Sequence, residues 1–176
     1  MYKISNVQVS AQGGSFFAYS SSMVLEGDVE PTQETLPIII PELQNISVTS
    51  VVSGGSRFGA LTSSGKLLTW GSYYWGALGL GDPRELPAGS PGGYAEEEQR
   101  AGARAGTYHG EPPDVRVPTE VRFDHRLRTN KTVERYCFAV AKGIFHTAAL
   151  VFDPAGDEVS PEDLEQDIGE DIEEDT

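Results

Sequence analysis

The stretch LLTWGSYYWGALGLGDP, Leu67–Pro83, sets four glycines and two tryptophans within seventeen residues. Glycines at this density either cradle a phosphate or let a sheet turn corners around large aromatic side chains, and the two uses need different spacings. A dinucleotide fold requires G-x-G-x-x-G between a strand and a helix whose N-terminus receives the pyrophosphate. The order here, Gly71, Gly76, Gly79, Gly81, is not that spacing, and Asp82-Pro83 leads into a segment where no helix is expected. A P-loop fails as well. Gly65-Lys66 precedes Leu67 rather than Ser or Thr, and Ala60 stands where the first glycine of that motif belongs.

The structural use accounts for every residue type. Gly71 frees the backbone directly after Trp70 as a strand ends, while Gly79 and Gly81 permit positive φ in a compact turn. Leu78 and Leu80, at alternate positions, are expected to bury between sheets. An indole buries about 150–250 Å², worth ~4–6 kcal/mol, so Trp70 reads as a core wedge rather than a ligand platform. Tyr73, Tyr74 and Trp75 are three consecutive aromatics that cannot all face one core. At least one is expected on a loop, and the three are the candidate partner-binding residues.

Working outward, Val51–Gly71 reads VVSGGSRFGALTSSGKLLTWG, three short apolar runs separated by glycine and serine turns, the pattern of strands joined by tight connections. Val133–Phe152 repeats its first half: Gly143 falls on Gly54, and Ala149-Leu150 on Ala60-Leu61. Val7–Gly27 is a weaker copy in which Ala18-Tyr19 takes that place. Repeats of short strands at this period imply a β-propeller or a related array. Ile38–Ile40, hemmed by Pro37 and Pro41, suits an outer edge strand, because proline cannot donate to a ladder.

The net charge of −14 is concentrated in one place. Asp153–Thr176 holds twelve acidic residues and no Lys or Arg, which leaves 13 basic and 15 acidic side chains for the remainder. The domain reading is therefore a partial propeller over 1–152, with a long flexible Pro/Gly/Ala-rich insertion at 84–116, and an acidic disordered tail over 153–176. Ser160-Pro161-Glu162-Asp163 has the features of a helix start, so a short helix over 161–168 is expected within the tail. A single cysteine, Cys137, excludes an internal disulfide and reads as a buried small hydrophobe. No segment has the apolar length of a membrane span and the N-terminus lacks a signal peptide's apolar run, so an intracellular setting, cytoplasm or nucleus, without membrane contact is expected.

The residues G-x-x-[HR]-x-x-A-L, then L-x-x-W-G and G-x-L-G-L-G-D-P, resemble the repeat of the regulator of chromosome condensation family, a seven-bladed β-propeller. Val51–Pro83 carries the match most fully, Pro118–Phe152 matches the end of one repeat and the beginning of the next, and Val7–Gly27 is degenerate. The signature positions are Gly54, Trp70, Gly71, Gly76, Leu78, Gly79, Leu80, Gly81, Asp82, Gly143 and His146. The insertion after Asp82-Pro83 is similar to that of fungal F-box proteins carrying such repeats. Only about three partial repeats are present and no F-box helices precede Tyr2, so the expectation is an all-β, incomplete propeller of two to three blades, from a truncated product or a gene model that begins late. Its outermost sheets would expose apolar faces and unpaired edges, which implies marginal stability or self-association.

The resemblance implies a non-enzymatic module that binds another protein, as a substrate receptor of a ubiquitin ligase, or alternatively one that regulates nucleotide exchange on a small GTPase as the family's founding member does on Ran. The residues suggest no cofactor, metal or catalytic group. His146 reads as a turn-tying histidine, since Arg57 takes its place in the middle copy, and His109 and His125 stand apart from any carboxylate at metal-ligand spacing. Nucleic-acid binding is not expected: the best basic cluster, Arg122, His125, Arg126, Arg128 and Lys131, is short and close in sequence to the acidic tail.

Overall fold

The computed structural model describes residues 7–12, 14–28, 36–73, 76–123, 135–143 and 145–153. Beyond Asp153, the expected tail and its short helix lie outside them. Among the described residues, ten strands form three antiparallel sheets. The first contains β1 (Gln8–Gln12), β2 (Ser15–Tyr19), β3 (Val24–Asp28) and β4 (Ile38–Ile39), in that spatial order. The second contains β5 (Val48–Ser53), β6 (Arg57–Thr62), β7 (Leu67–Gly71) and β8 (Val115–Glu120), and the third pairs β9 (Tyr136–Lys142) with β10 (Thr147–Phe152). The chain is thus all-β in its sheets and has the arrangement of an incomplete β-propeller. The first strands of successive sheets are neighbours: β5 touches β1 on one side and β9 on the other.

The repeats seen in sequence coincide with these sheets. β2, β6 and β10 carry Ala18-Tyr19, Ala60-Leu61 and Ala149-Leu150 at matching positions. Because side chains alternate across a strand, each such pair sends one residue to either face. Ala60 turns toward the first sheet with Val51, Phe58 and Trp70, and meets Phe17, Tyr19 and Val24. Leu61 turns the other way with Leu67 and meets Cys137, Val140, Ala149 and Val151 of the third sheet.

Trp70 is the centre of the first interface and is 5% exposed. Its indole meets the fully buried Phe17 ring edge-on, with centroids 6.0 Å apart, and lies tilted against Phe58 at 5.6 Å; Phe17 and Phe58 are themselves 5.2 Å apart. Such ring pairs contribute roughly 0.5–1.5 kcal/mol each beyond the area they bury. Leu78 is buried in the same core, and Leu80 touches both clusters. Cys137 is fully buried, and burial raises its thiol pKa, consistent with a packing role.

The outer strands obey the proline constraint. Among the described residues β4 pairs with β3 alone, and it is flanked by Pro37 and Pro41, the latter opening a 3₁₀ turn over Pro41–Leu43 that plugs Leu43 into the core. The insertion enters between β7 and β8, so its two ends lie on neighbouring strands of one sheet.

That insertion departs from the expected structureless loop. It contains helix α1 (Glu97–Arg104), and β8 begins at Val115, inside the stretch assigned to the loop. The helix buries no residue, so it has no apolar stripe to betray it. Instead the Glu96 N–H donates to Gln99 Oε1 at 3.2 Å, acids occupy the first turn and Arg104 the last, as the helix dipole favours. Arg100 donates to the Leu86 carbonyl at 3.3 Å and Arg104 to the Arg84 carbonyl at 2.7 Å, which ties the helix to the turn that precedes it.

The second and third sheets come close together at Gly54 and Gly143, where a Cβ on Gly54 would run into the Gly143 carbonyl. Gly54→Ala is therefore expected to cost about 1–3 kcal/mol of unfolding free energy, the range for overpacking a tight contact. Chemical denaturation of the variant and the parent checks this, and equal midpoints would contradict the close approach.

Candidate functional site

The chain leaves β7 through a turn anchored from two sheets. Gly71 adopts φ 107°, and a side chain there would strike the Ser56 carbonyl, which accepts the Ser72 N–H at 2.9 Å. Farther on, the Gly79 N–H returns to the Gly76 carbonyl at 2.9 Å, closing a turn over the buried Ala77 and Leu78. The fully buried Thr69 hydroxyl donates to the Leu78 carbonyl at 2.7 Å. From the third sheet, the Thr147 hydroxyl donates to the Ala77 carbonyl at 2.7 Å and accepts from Lys142 Nζ at 3.0 Å. Hydrogen bonds thus hold the turn's buried carbonyls from both sides, as buried polar groups require.

The turn ends in Asp82, whose carboxylate is gripped by Arg84: backbone N–H at 2.9 Å, Nε at 3.0 Å and Nη2 at 2.7 Å. Those bonds hold the Asp82 carboxyl below the usual carboxylate range. The pair is open to water, so its role is local shape more than stability. The insertion then folds back over this turn. Tyr94 is buried and meets the Tyr108 ring edge-on at 5.7 Å.

Between the turn and the insertion lies a cleft of about 650 Å³, walled by Tyr73, Asp82, Arg84, Tyr94, Tyr108 and Glu111. Tyr73 is positioned by its backbone N–H, which donates to Asp114 Oδ1 at 2.9 Å. Burial, then the neighbouring Tyr94, Asp82 and Glu111, raises the Tyr73 phenol above its ordinary value, so it keeps its proton and stays a hydrogen-bond donor. The walls of the cleft are thus aromatic rings and phenolic donors with a few fixed charges among them. Among the described residues, no group of three or more His, Cys, Asp or Glu is placed to hold a metal, and no helix is long and apolar enough to cross a membrane.

Of the residues singled out in the sequence, Tyr73, Gly76, Gly81 and Asp82 line this cleft. Tyr74 and Trp75 lie outside the described residues. Trp70, Leu78 and Leu80 belong to the cores, and Gly79 faces Val121. Gly54 and Gly143 meet between sheets, while His146 is exposed, its ring over Gly143 and its carbonyl accepting the Gly143 N–H at 2.9 Å. Tyr94, Tyr108, Arg84 and Glu111 were not legible as site residues, because they converge only once the insertion folds back. The available signal was the presence of tyrosines in a segment otherwise made of Pro, Gly and Ala.

These sheets and their shared cores define part of a β-propeller. No model of a known protein family matches the chain, and no curated protein does. Among solved structures it is similar to Prp20p from Saccharomyces cerevisiae, described with its binding to Gsp1p and histones, at 15% identity and a TM-score of 0.51 over 93% of this chain and 34% of that one. It is similar also to yeast RCC1 (Prp20) bound to Kap60, at 16% identity and 0.50 over 81% and 29%, and to human WBSCR16, at 18% identity and 0.50 over 85% and 32%. The chain has the fold of part of an RCC1-type β-propeller, and it spans about a third of the length of the solved structures it matches.

Lys142 gives this region a measurable pH signature. Burial, and then the Arg57 guanidinium, pushes its amine down from 10.5 to about 8. Between those values the unfolded chain binds the proton and the folded chain does not, so the cost of holding the charge is full below pH 8 and is relieved as pH rises toward 10.5. The melting temperature of Lys142→Met relative to the parent is expected to be highest below pH 8 and to fall steadily across that window. A constant difference would show that Lys142 is solvated.

Proposed function

We propose that this chain is a non-enzymatic protein-interaction module and that the cleft between the Gly71–Asp82 turn and the insertion receives a segment of the partner. The observation that carries the reading is the convergence of Tyr73, Tyr94 and Tyr108 on one open cleft, where the Asp82 carboxylate is engaged by Arg84. Tyrosine supplies large, rigid contact area with little conformational entropy to lose, which suits recognition of another protein. The finer reading is substrate recognition within an F-box-type ubiquitin ligase, supported by the resemblance of the insertion after Asp82-Pro83 to that of fungal F-box repeat proteins. An alternative is regulation of a small GTPase, favoured by the fold shared with a protein described as binding Gsp1p.

A photo-crosslinking residue in place of Tyr108 separates the readings. Adducts with a partner protein are expected from position 108 and not from the exposed Arg116 on β8, and Tyr73→Ala should lower the partner's affinity by at least about tenfold, the effect of a modest hot spot. Equal adducts from both positions would place binding elsewhere. Accelerated release of labelled guanine nucleotide from a Ran-type GTPase by the chain would favour the alternative.

A further inference from the structure

Among the described residues, the two sheets at the ends of the array each keep one apolar face uncovered. On the third sheet, Phe138, Leu150 and Phe152 are 53%, 59% and 48% exposed, with Ala141 and Ala148 beside them. On the first sheet, the face turned away from the core carries Val9, Ala18, Leu25 and Ile39 in one cross-strand row, with Val9 66% and Ile39 57% exposed and Phe16 adjoining.

These faces are not two arbitrary patches. In register, Tyr19 on the first sheet, Leu61 on the second and Leu150 on the third are equivalent, as are Ala18, Ala60 and Ala149. Within the chain, the Tyr19 face packs on the Ala60 face and the Leu61 face packs on the Ala149 face. Each internal interface therefore joins a face bearing a large residue at this position to a face bearing alanine. The open face of the third sheet is of the first kind, through Leu150, and the open face of the first sheet is of the second kind, through Ala18. The same juxtaposition is left unmade at both ends.

We infer that a second copy of this chain docks head to tail, the Leu150 face of one copy against the Ala18 face of the next, repeating the contact already made twice inside each chain. Face pairing of like with like would set Leu150 and Phe152 against themselves, with no alanine row to receive them. A heterologous contact of this kind propagates into a ring or an open series of copies rather than stopping at a dimer. Burying these rows removes apolar surface and covers both uncovered sheet faces.

Single-face variants of the full chain test the inference by analytical ultracentrifugation, with circular dichroism confirming that each retains its sheet spectrum. The parent is expected to associate with a mass that rises with concentration. Leu150→Asp and Val9→Asp, each at an exposed site, should be monomeric alone and form a one-to-one heterodimer when mixed, with no larger species. Phe152→Ser and Ile39→Ser provide a milder pair with the same expected outcome. A parent that stays monomeric at every concentration, a Val9→Asp protein that still dimerises by itself, or a mixture that remains monomeric would each overturn the inference.

Discussion

The indole of Trp70, wedged between the first and second sheets against Phe17 and Phe58, is the contact on which the remaining structure depends. Short antiparallel sheets bury too little on their own to remain ordered, and they acquire a core only by stacking face to face. Trp70 supplies the largest apolar surface at the first of these stackings, and it sits one residue before the glycine that lets the chain turn off the strand. The wedge and the turn are therefore coupled: the backbone direction that buries the indole is the direction in which Gly71 takes Ser72 and Tyr73 off the end of β7.

From that coupling the cleft follows. Thr69, the neighbour of Trp70 on β7, faces the opposite way and reaches the Leu78 carbonyl, while Thr147 reaches Ala77 from the third sheet. A turn held from two sides offers a fixed platform, and the insertion closes over it through arginine bonds to the Arg84 and Leu86 carbonyls. Recognition surfaces depend on such preorganisation, because a wall that must be ordered on binding loses affinity to entropy. The site is thus loop-built but sheet-supported, the usual division of labour in folds of this kind.

Much of the fold was legible because the repeat is local. Gly54 and Gly143, Ala60-Leu61 and Ala149-Leu150 mark equivalent positions within short runs, and alternation then assigns their faces. Even the weak first copy is marked by Ala18-Tyr19, although its strand β3 has Gly27-Asp28 where the second sheet has Trp70-Gly71. The helix α1 was not legible, since it is held by capping, charge and arginine-to-carbonyl bonds rather than by a buried stripe. The cleft was half legible. Tyr73 and Asp82 belong to the quoted stretch, whereas Tyr94, Tyr108 and Glu111 enter from a segment whose path depends on tertiary contacts that no local pattern encodes.

The most direct test of the account is the solvent exposure of Trp70. In a Trp75→Phe protein, which leaves Trp70 as the one indole, a buried wedge predicts blue-shifted emission and little quenching by acrylamide, both reverting to those of free tryptophan on denaturation. Red-shifted emission with full quenching in the native protein would place the indole in water and contradict the sheet-stacking account.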